Sequence, residues 1–347
     1  MKLVTITKAS DLAALNGAVD TDVIFATGIV DLPSLTVLKG LRNVAFYGNR
    51  SPKGRVAITG FPLQFIDCEN VSIDRVAFHM ERSKLPAAQV ESWWSSPRFL
   101  ASIPYGLKNI SLTNCDFRYS TDEIAFFHTD VWPYGKLPVI QGLKIEGCLF
   151  GPSLRGLVPA RLNHNFGLMV DGAEDVQIRQ CVFAGNNRRN PQVRGKNILV
   201  EDCLMLGYGT MAIGIHAGSS VDVQRCTFWP TAQTTQNRPS PVKAVEGTVN
   251  AFGSDMIQLC IQKSREIGSA KHQDPKTDLN LWGNSGETMP VQLWDGLPAL
   301  RNPVAIDMLT TQVGVLDTLS KQIYKEIGQG SVPWRDKSTP IARADYI

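Results

Sequence analysis

Apolar and polar residues alternate with a period of two through the first two thirds of the chain. NVAFY from Asn43, NVSIDRVAF from Asn70, NISLTNCDF from Asn109, GLKIEGCLF from Gly142, DVQIRQCVF from Asp175, NILVEDCLM from Asn197 and SVDVQRCTF from Ser220 share one layout. A small or turn-forming residue comes first, then alternating apolar residues, then two polar residues and, in most units, a Cys-x-Phe ending. Alternation predicts strands, because successive side chains of a strand point to opposite faces. Cys115, Cys148, Cys181, Cys203 and Cys226 fill one slot of the unit, at spacings of 33, 33, 22 and 23 residues. A strand unit recurring at that period is a solenoid pattern, so the chain is expected to be all-β, a right-handed parallel β-helix. Stacked parallel coils lie roughly 4.8 Å apart and place equal slots over one another. Small Cys and flat Phe are therefore expected to form internal ladders. The leading Asn suits a turn, since its side chain bonds local backbone and tolerates the left-handed region.

The flanks follow other patterns. LVTI predicts a short strand, and Ser10 ahead of Asp11-Leu12-Ala13-Ala14-Leu15 predicts the N-cap of a helix covering the open edge of the stack. TDVIFATGIVDL reads as strand, glycine turn, strand. Insertions at 79–106, 129–137 and 152–164 are loops of the kind that wall a groove. After Pro230 the repeat fades. Leu316, Leu319, Ile323 and Ile327 fall on one helical face with Gly328 at its stop, which predicts an amphipathic C-terminal helix. The organisation expected is a capped β-helix core over 1–230. A final irregular coil, loops and the helix over 231–347 pack on it within the same domain.

Composition narrows the function. The 347 residues are 43% hydrophobic and 19% charged, enough for a buried core. A net charge of +3 from interspersed signs gives no footprint for nucleic acid. No run of 18 apolar residues predicts a membrane span. MKLVTITKASDLAAL lacks the apolar core of a signal peptide, so the protein is expected to be made in a cytoplasm with no cleaved leader. Seven Cys, an odd number with five in one strand slot, are expected as buried free thiols.

Candidate chemistry gathers in 163–194. NHNFGLMV precedes the DVQIRQCVF strand unit, and the basic turn Arg188-Arg189-Asn190-Pro191-Gln192-Val193-Arg194 follows it. R-x-P-x-x-R after a β-helix strand resembles the pectate lyase signature of polysaccharide lyase family 1. CDFRYSTDE from Cys115, NHNFGLMV, VIFATGIVDL, NRSPKGRVAITG and VGVLDTLSKQIYKEIGQG each resemble segments of that family, in order along most of the chain. The resemblance implies β-elimination on an acidic, uronate-containing, pectate-like polysaccharide. It implies Arg189 as the base that takes the C5 proton, Arg194 as the group holding the substrate carboxylate, and Ca²⁺ on Asp122 and Glu123. A guanidinium acts as a base only where other cations disfavour its charge; Arg188, Arg194 and the metal would do so. Phe126 stands where the family carries a second metal carboxylate, a departure from its pattern. Arg188, His164, Arg161, Arg155 and the pair Trp93-Trp94 are candidate substrate contacts. The same residues also suit a salt-bridged surface turn, a solvated strand end and a buried tryptophan pair.

A second function class is the alternative to the lyase. A β-helix that kept the fold and lost the chemistry would serve as a glycan-binding or structural module. A phage tailspike-like virion protein is of this kind, assembled with other virion proteins, expected as a homotrimer, and acting at the host cell surface. Virion delivery would also bring a lyase without a leader to its glycan.

Overall fold

Every described strand pairing is parallel. The computed structural model describes residues 1–81, 96–129, 140–155, 164–229, 240–245, 257–262, 264–266, 291–293 and 335–336. Each coil contributes to a short sheet of nine strands and to a long sheet of 17 strands that carries two rows. The first row holds Leu63–Ile66, Arg98–Ala101, Glu123–Thr129, the start of Phe166–Arg179, the start of Gln192–Glu201 and Met211–His216. The second row holds the alternating repeat units, such as Leu107–Thr113, Ile140–Glu146 and Ser220–Gln224. Phe166–Arg179 turns from the first row into the second at Gly172, whose φ is +78° and where the register shifts between Asp171 and Ala173. The chain is thus a right-handed parallel β-helix.

The ladders stand where the repeat puts them. Cys115, Cys148, Cys181, Cys203 and Cys226 are all buried and unpaired in disulfides. Each sulfur sits between two carbonyls, that of the residue two positions back and one on the preceding coil; for Cys148 these are Glu146 at 3.4 Å and Leu112 at 3.6 Å. The same pair recurs for Cys203 with Glu201 at 3.2 Å and Ile178 at 3.6 Å. A weak S–H donor between two acceptors explains why a small polarizable thiol repeats there. Phe78, Phe117, Phe150 and Phe183 stack face to face with centroids 5.4, 4.8 and 4.8 Å apart, the coil spacing itself. Phe228 pairs with Met205, which interrupts the column with a flexible side chain.

An asparagine column edges the second row. Asn70 Nδ2 donates to Asn43 Oδ1 at 2.8 Å, and Asn109 Nδ2 to Asn70 Oδ1 at 2.9 Å. All three sit at positive φ, near +53°, the region Asn tolerates at least cost among residues with a Cβ. Gly142 takes the next place, where a Cβ would lie 2.6 Å from Asn109 Oδ1.

The N-terminal helix spans Ala9–Ala13, and its N-cap is Lys8 rather than Ser10. Asp11 explains the shift: its Oδ2 accepts from the backbone N–H of Thr7 at 2.9 Å and of Lys8 at 3.1 Å, fixing the entry two residues earlier. Leu12 and Leu15 bury against the first coils. Parallel pairing carries on beyond Pro230: Ser240–Val245 lies on Met211–His216, and Ile257–Gln262 lies on Ser220–Gln224. The amphipathic segment around Leu316 to Ile327 lies outside the described residues.

Candidate anion-binding site on the first row

Strand Glu123–Thr129 turns Ala125 and Phe127 into the core and leaves Phe126 and His128 half-buried on the outer face. Arg98, Phe126, Met169 and Gln192 share one column across successive coils. Glu123 lies level with Phe166, and Phe166 with Arg188. Acidic and basic segments therefore occupy alternate coils at one edge of one face, two coil steps or roughly 10 Å of backbone apart.

The arginine turn is held by its backbone. Asn187 N–H donates to the Asn165 carbonyl at 2.7 Å, Gly167 N–H to the Arg188 carbonyl at 3.0 Å, and Asn190 N–H to the Ala212 carbonyl at 2.8 Å. Arg189 itself has φ +65°, a left-handed conformation that this anchoring maintains. Gly167 is required by the close approach: a Cβ there would meet the Arg189 carbonyl at 2.4 Å and Asn190 Oδ1 at 2.6 Å. Gly167→Ala should push the turn off its coil and cost about 1–3 kcal/mol by overpacking. Urea denaturation checks this; an unchanged midpoint would mean the turn yields freely.

The side chains converge on Phe166. Both guanidinium groups sit over its ring, that of Arg188 4.5 Å and that of Arg189 4.2 Å from the centroid. The His164 ring packs against it at 4.8 Å. Arg189 reaches across this ring to form an ion pair with Glu123, and its Nη1 lies 3.5 Å from Met169 Sδ. His164 Nδ1 is 3.7 Å from Asp122 Oδ1, an electrostatic contact longer than a hydrogen bond. Burial pushes both Arg188 and Arg189 below the ordinary arginine value, and the nearby Asp122 carboxylate offsets part of that shift. Arg188, Arg189, Asp122, Glu123 and His164 thus meet at one place.

Arg194 belongs to a neighbouring cluster further along the strand. Its Nε lies 3.1 Å from Asp171 Oδ1, and His128 Nε2 lies 3.4 Å from Asp171 Oδ2. Arg194 and Asp171 are both buried, 4% and 1% exposed by side chain, which distinguishes this pair from a surface contact. Gln192 Nε2 and His216 Nε2, 2.7 Å apart, continue the polar row. Arg155 lies in the strand Leu154–Arg155, which pairs with Arg335–Asp336. Arg161, Trp93 and Trp94 lie outside the described residues.

Sequence reasoning passed over Asp171 and Phe166; Phe126, noted there as a departure from the family pattern, stacks its ring on that of His128 at 4.9 Å. Asp171 had a signal, an acid closing the apolar run FGLMV just before a glycine. Phe166 had none, since an aromatic in a strand is ordinary core.

Calcium does not fit the described donors. Ca²⁺ takes six to eight oxygens. Glu123 is engaged by Arg189, Asp122 faces His164, and Phe126 puts a hydrocarbon ring on the same face. Among the described residues no group of three or more His, Cys, Asp or Glu gathers that could hold a metal.

Comparison with solved structures bears out the parallel β-helix fold. One solved structure, a pectate lyase from Bacillus sp. N165 in complex with trigalacturonate, matches 90% of this chain and 93% of its own at a TM-score of 0.52 and 11% identity. A thermostable pectate lyase, PL 47, matches 90% of this chain and 92% of its own at 0.52 and 10% identity. At such identities the likeness is one of fold. No protein-family model matches the chain, and no curated protein does.

Proposed function

We propose that this protein is a polysaccharide lyase that cleaves an acidic, uronate-containing, pectate-like glycan by β-elimination. The observation that carries the reading is the pair Arg188 and Arg189, desolvated over Phe166 on the outer face of a lyase-like β-helix. The reaction needs a base at C5 and a cation at the uronate carboxylate. Arg189 is the base: desolvation and the adjacent Arg188 both disfavour its charged form. It takes the C5 proton, the C–H electrons form the C4–C5 double bond, the C4–O bond breaks, and the departing oxygen takes a proton from water. No step is routed through a metal. Trigalacturonate, the ligand of the Bacillus sp. N165 structure, is the substrate class of first choice.

Incubation with polygalacturonate should raise ultraviolet absorbance as the unsaturated product forms, and Arg189→Ala should abolish the rise. Retained elimination in that variant would remove the catalytic assignment alone. A second reading has its own observation. The ion pair with Glu123 favours the charged, non-basic form of Arg189. On that reading the chain is a glycan-binding module, of the kind a phage particle carries as a tailspike, and no unsaturated product forms with any acidic polysaccharide.

A further inference from the structure

The turn contains three guanidinium groups, and they differ in their counter-ions. Arg189 is paired with Glu123, and Arg194 with Asp171. Arg188 forms no ion pair among the described residues. Its contacts are the Phe166 ring at 4.5 Å and a longer-range attraction to Asp122. Its Nε is buried without a hydrogen-bond acceptor. Its carbonyl is tied to Gly167 N–H at 3.0 Å, so the backbone beneath it is fixed. A partly desolvated cation with unfilled donors is costly unless something supplies the acceptors. A planar guanidinium clamped on an aromatic ring is prepared for bidentate binding of a planar anion.

We propose that Arg188 is the direct anchor for the carboxylate of an acidic sugar, without a bridging metal ion. The inference rests on the acidic-glycan reading above and moves the carboxylate contact from Arg194 to Arg188. Arg194 is occupied: its guanidinium faces the buried Asp171 at 3.1 Å, and drawing it to a ligand would break a buried ion pair. The two carboxylates from which a metal would have to bridge are themselves engaged by Arg189 and His164. Phe126 and Met169, neighbours on the same outer column, offer the apolar strip on which the sugar ring lies beside the anchor.

Titration calorimetry of trigalacturonate into the full chain with EDTA present tests this, with the methyl-esterified trisaccharide as the neutral comparison. The wild type should bind the acid and not the ester. Arg188→Gln should weaken binding of the acid by about ten-fold or more, the scale of a lost charge-assisted pair. Arg188→Lys should recover part of it, since it keeps the charge and loses the fork. The thermal midpoint of Arg188→Gln should stay close to that of the wild type, because no ion pair is broken and the stacking on Phe166 is offset by removing a partly desolvated charge. Wild-type-like affinity in Arg188→Gln overturns the anchor while leaving the acidic-glycan reading in place. So does a clear fall in its thermal midpoint, which would mark a structural residue. Binding that appears only when Ca²⁺ replaces EDTA also overturns it. Failure of the wild type to bind trigalacturonate with either EDTA or Ca²⁺ overturns the acidic-glycan reading as well.

Discussion

Cys181→Asp should destabilise the protein by several kcal/mol and leave a large share of it unfolded. The Cys181 sulfur lies 3.2 Å from the Arg179 carbonyl and 3.7 Å from the Ile145 carbonyl, with no accessible surface. A carboxylate in that slot would be fully desolvated, with only the Cys148 N–H and the weak Cys148 and Cys203 thiols as donors and the Glu146 charge nearby. Its burial costs more than most single substitutions, against a total stability of about 5–15 kcal/mol. Cys181→Ser, which keeps a donor between the same two carbonyls, should cost far less. Urea denaturation followed by circular dichroism separates the two variants. Equal midpoints would show that the ladder slot is not closed. The same closure predicts that a thiol reagent leaves the five ladder cysteines of the native protein unmodified. The protection comes from closure, since each of the five is at most 1% exposed, and burial also pushes Cys148, Cys203 and Cys226 above the ordinary thiol value.

Arg194→Ala should lose about 3–5 kcal/mol of stability, the usual result of removing one member of a buried ion pair. The substitution removes the guanidinium 3.1 Å from Asp171, a side chain 1% exposed whose other oxygen lies 3.4 Å from His128 Nε2. The size of the loss depends on the buried carboxylate that keeps its charge, so the double variant Arg194→Met, Asp171→Leu should recover most of it. A cycle of the two single variants and the double, measured by denaturation, gives the coupling directly. If Arg194→Ala instead keeps its midpoint and loses only affinity for trigalacturonate, then Arg194 is the ligand contact and the pair with Asp171 is incidental. That outcome would contradict the pairing by which Arg188 was singled out.

The solenoid was legible because its signal is repeated. Each coil carries the same alternation, and each Cys and Phe occupies a slot that must stack on its equivalent. The acidic and basic segments follow their Cys-x-Phe strands by similar offsets, Asp122 seven residues after Cys115 and Arg189 eight after Cys181, which in a stack puts them on one face. That offset carries no information on side-chain reach. Arg189 crosses a whole coil, over Phe166, to meet Glu123, whereas Arg188 beside it meets no carboxylate among the described residues. The N-cap was misplaced for a comparable reason: Ser10 has the right chemistry, but Asp11 collects the free backbone donors first. Past Pro230 the strands at Ser240–Val245 and Ile257–Gln262 pair in register although the sequence repeat has faded. A strand on a growing stack is templated by backbone hydrogen bonds, which do not require a repeated side chain.

The sequence by itself determined the parallel β-helix, the internal Cys and Phe ladders and the place of the cationic turn. These follow from periodicity and from local backbone chemistry, both of which are properties of the linear order. Only the tertiary structure decided which arginine of the turn forms no ion pair among the described residues. Counter-ions come from other coils, Glu123 and Asp171 lying 66 and 23 residues from the arginines they neutralise. Which carboxylate meets which guanidinium depends on register, turn conformation and the ring between them, and those are settled only when the coils stack.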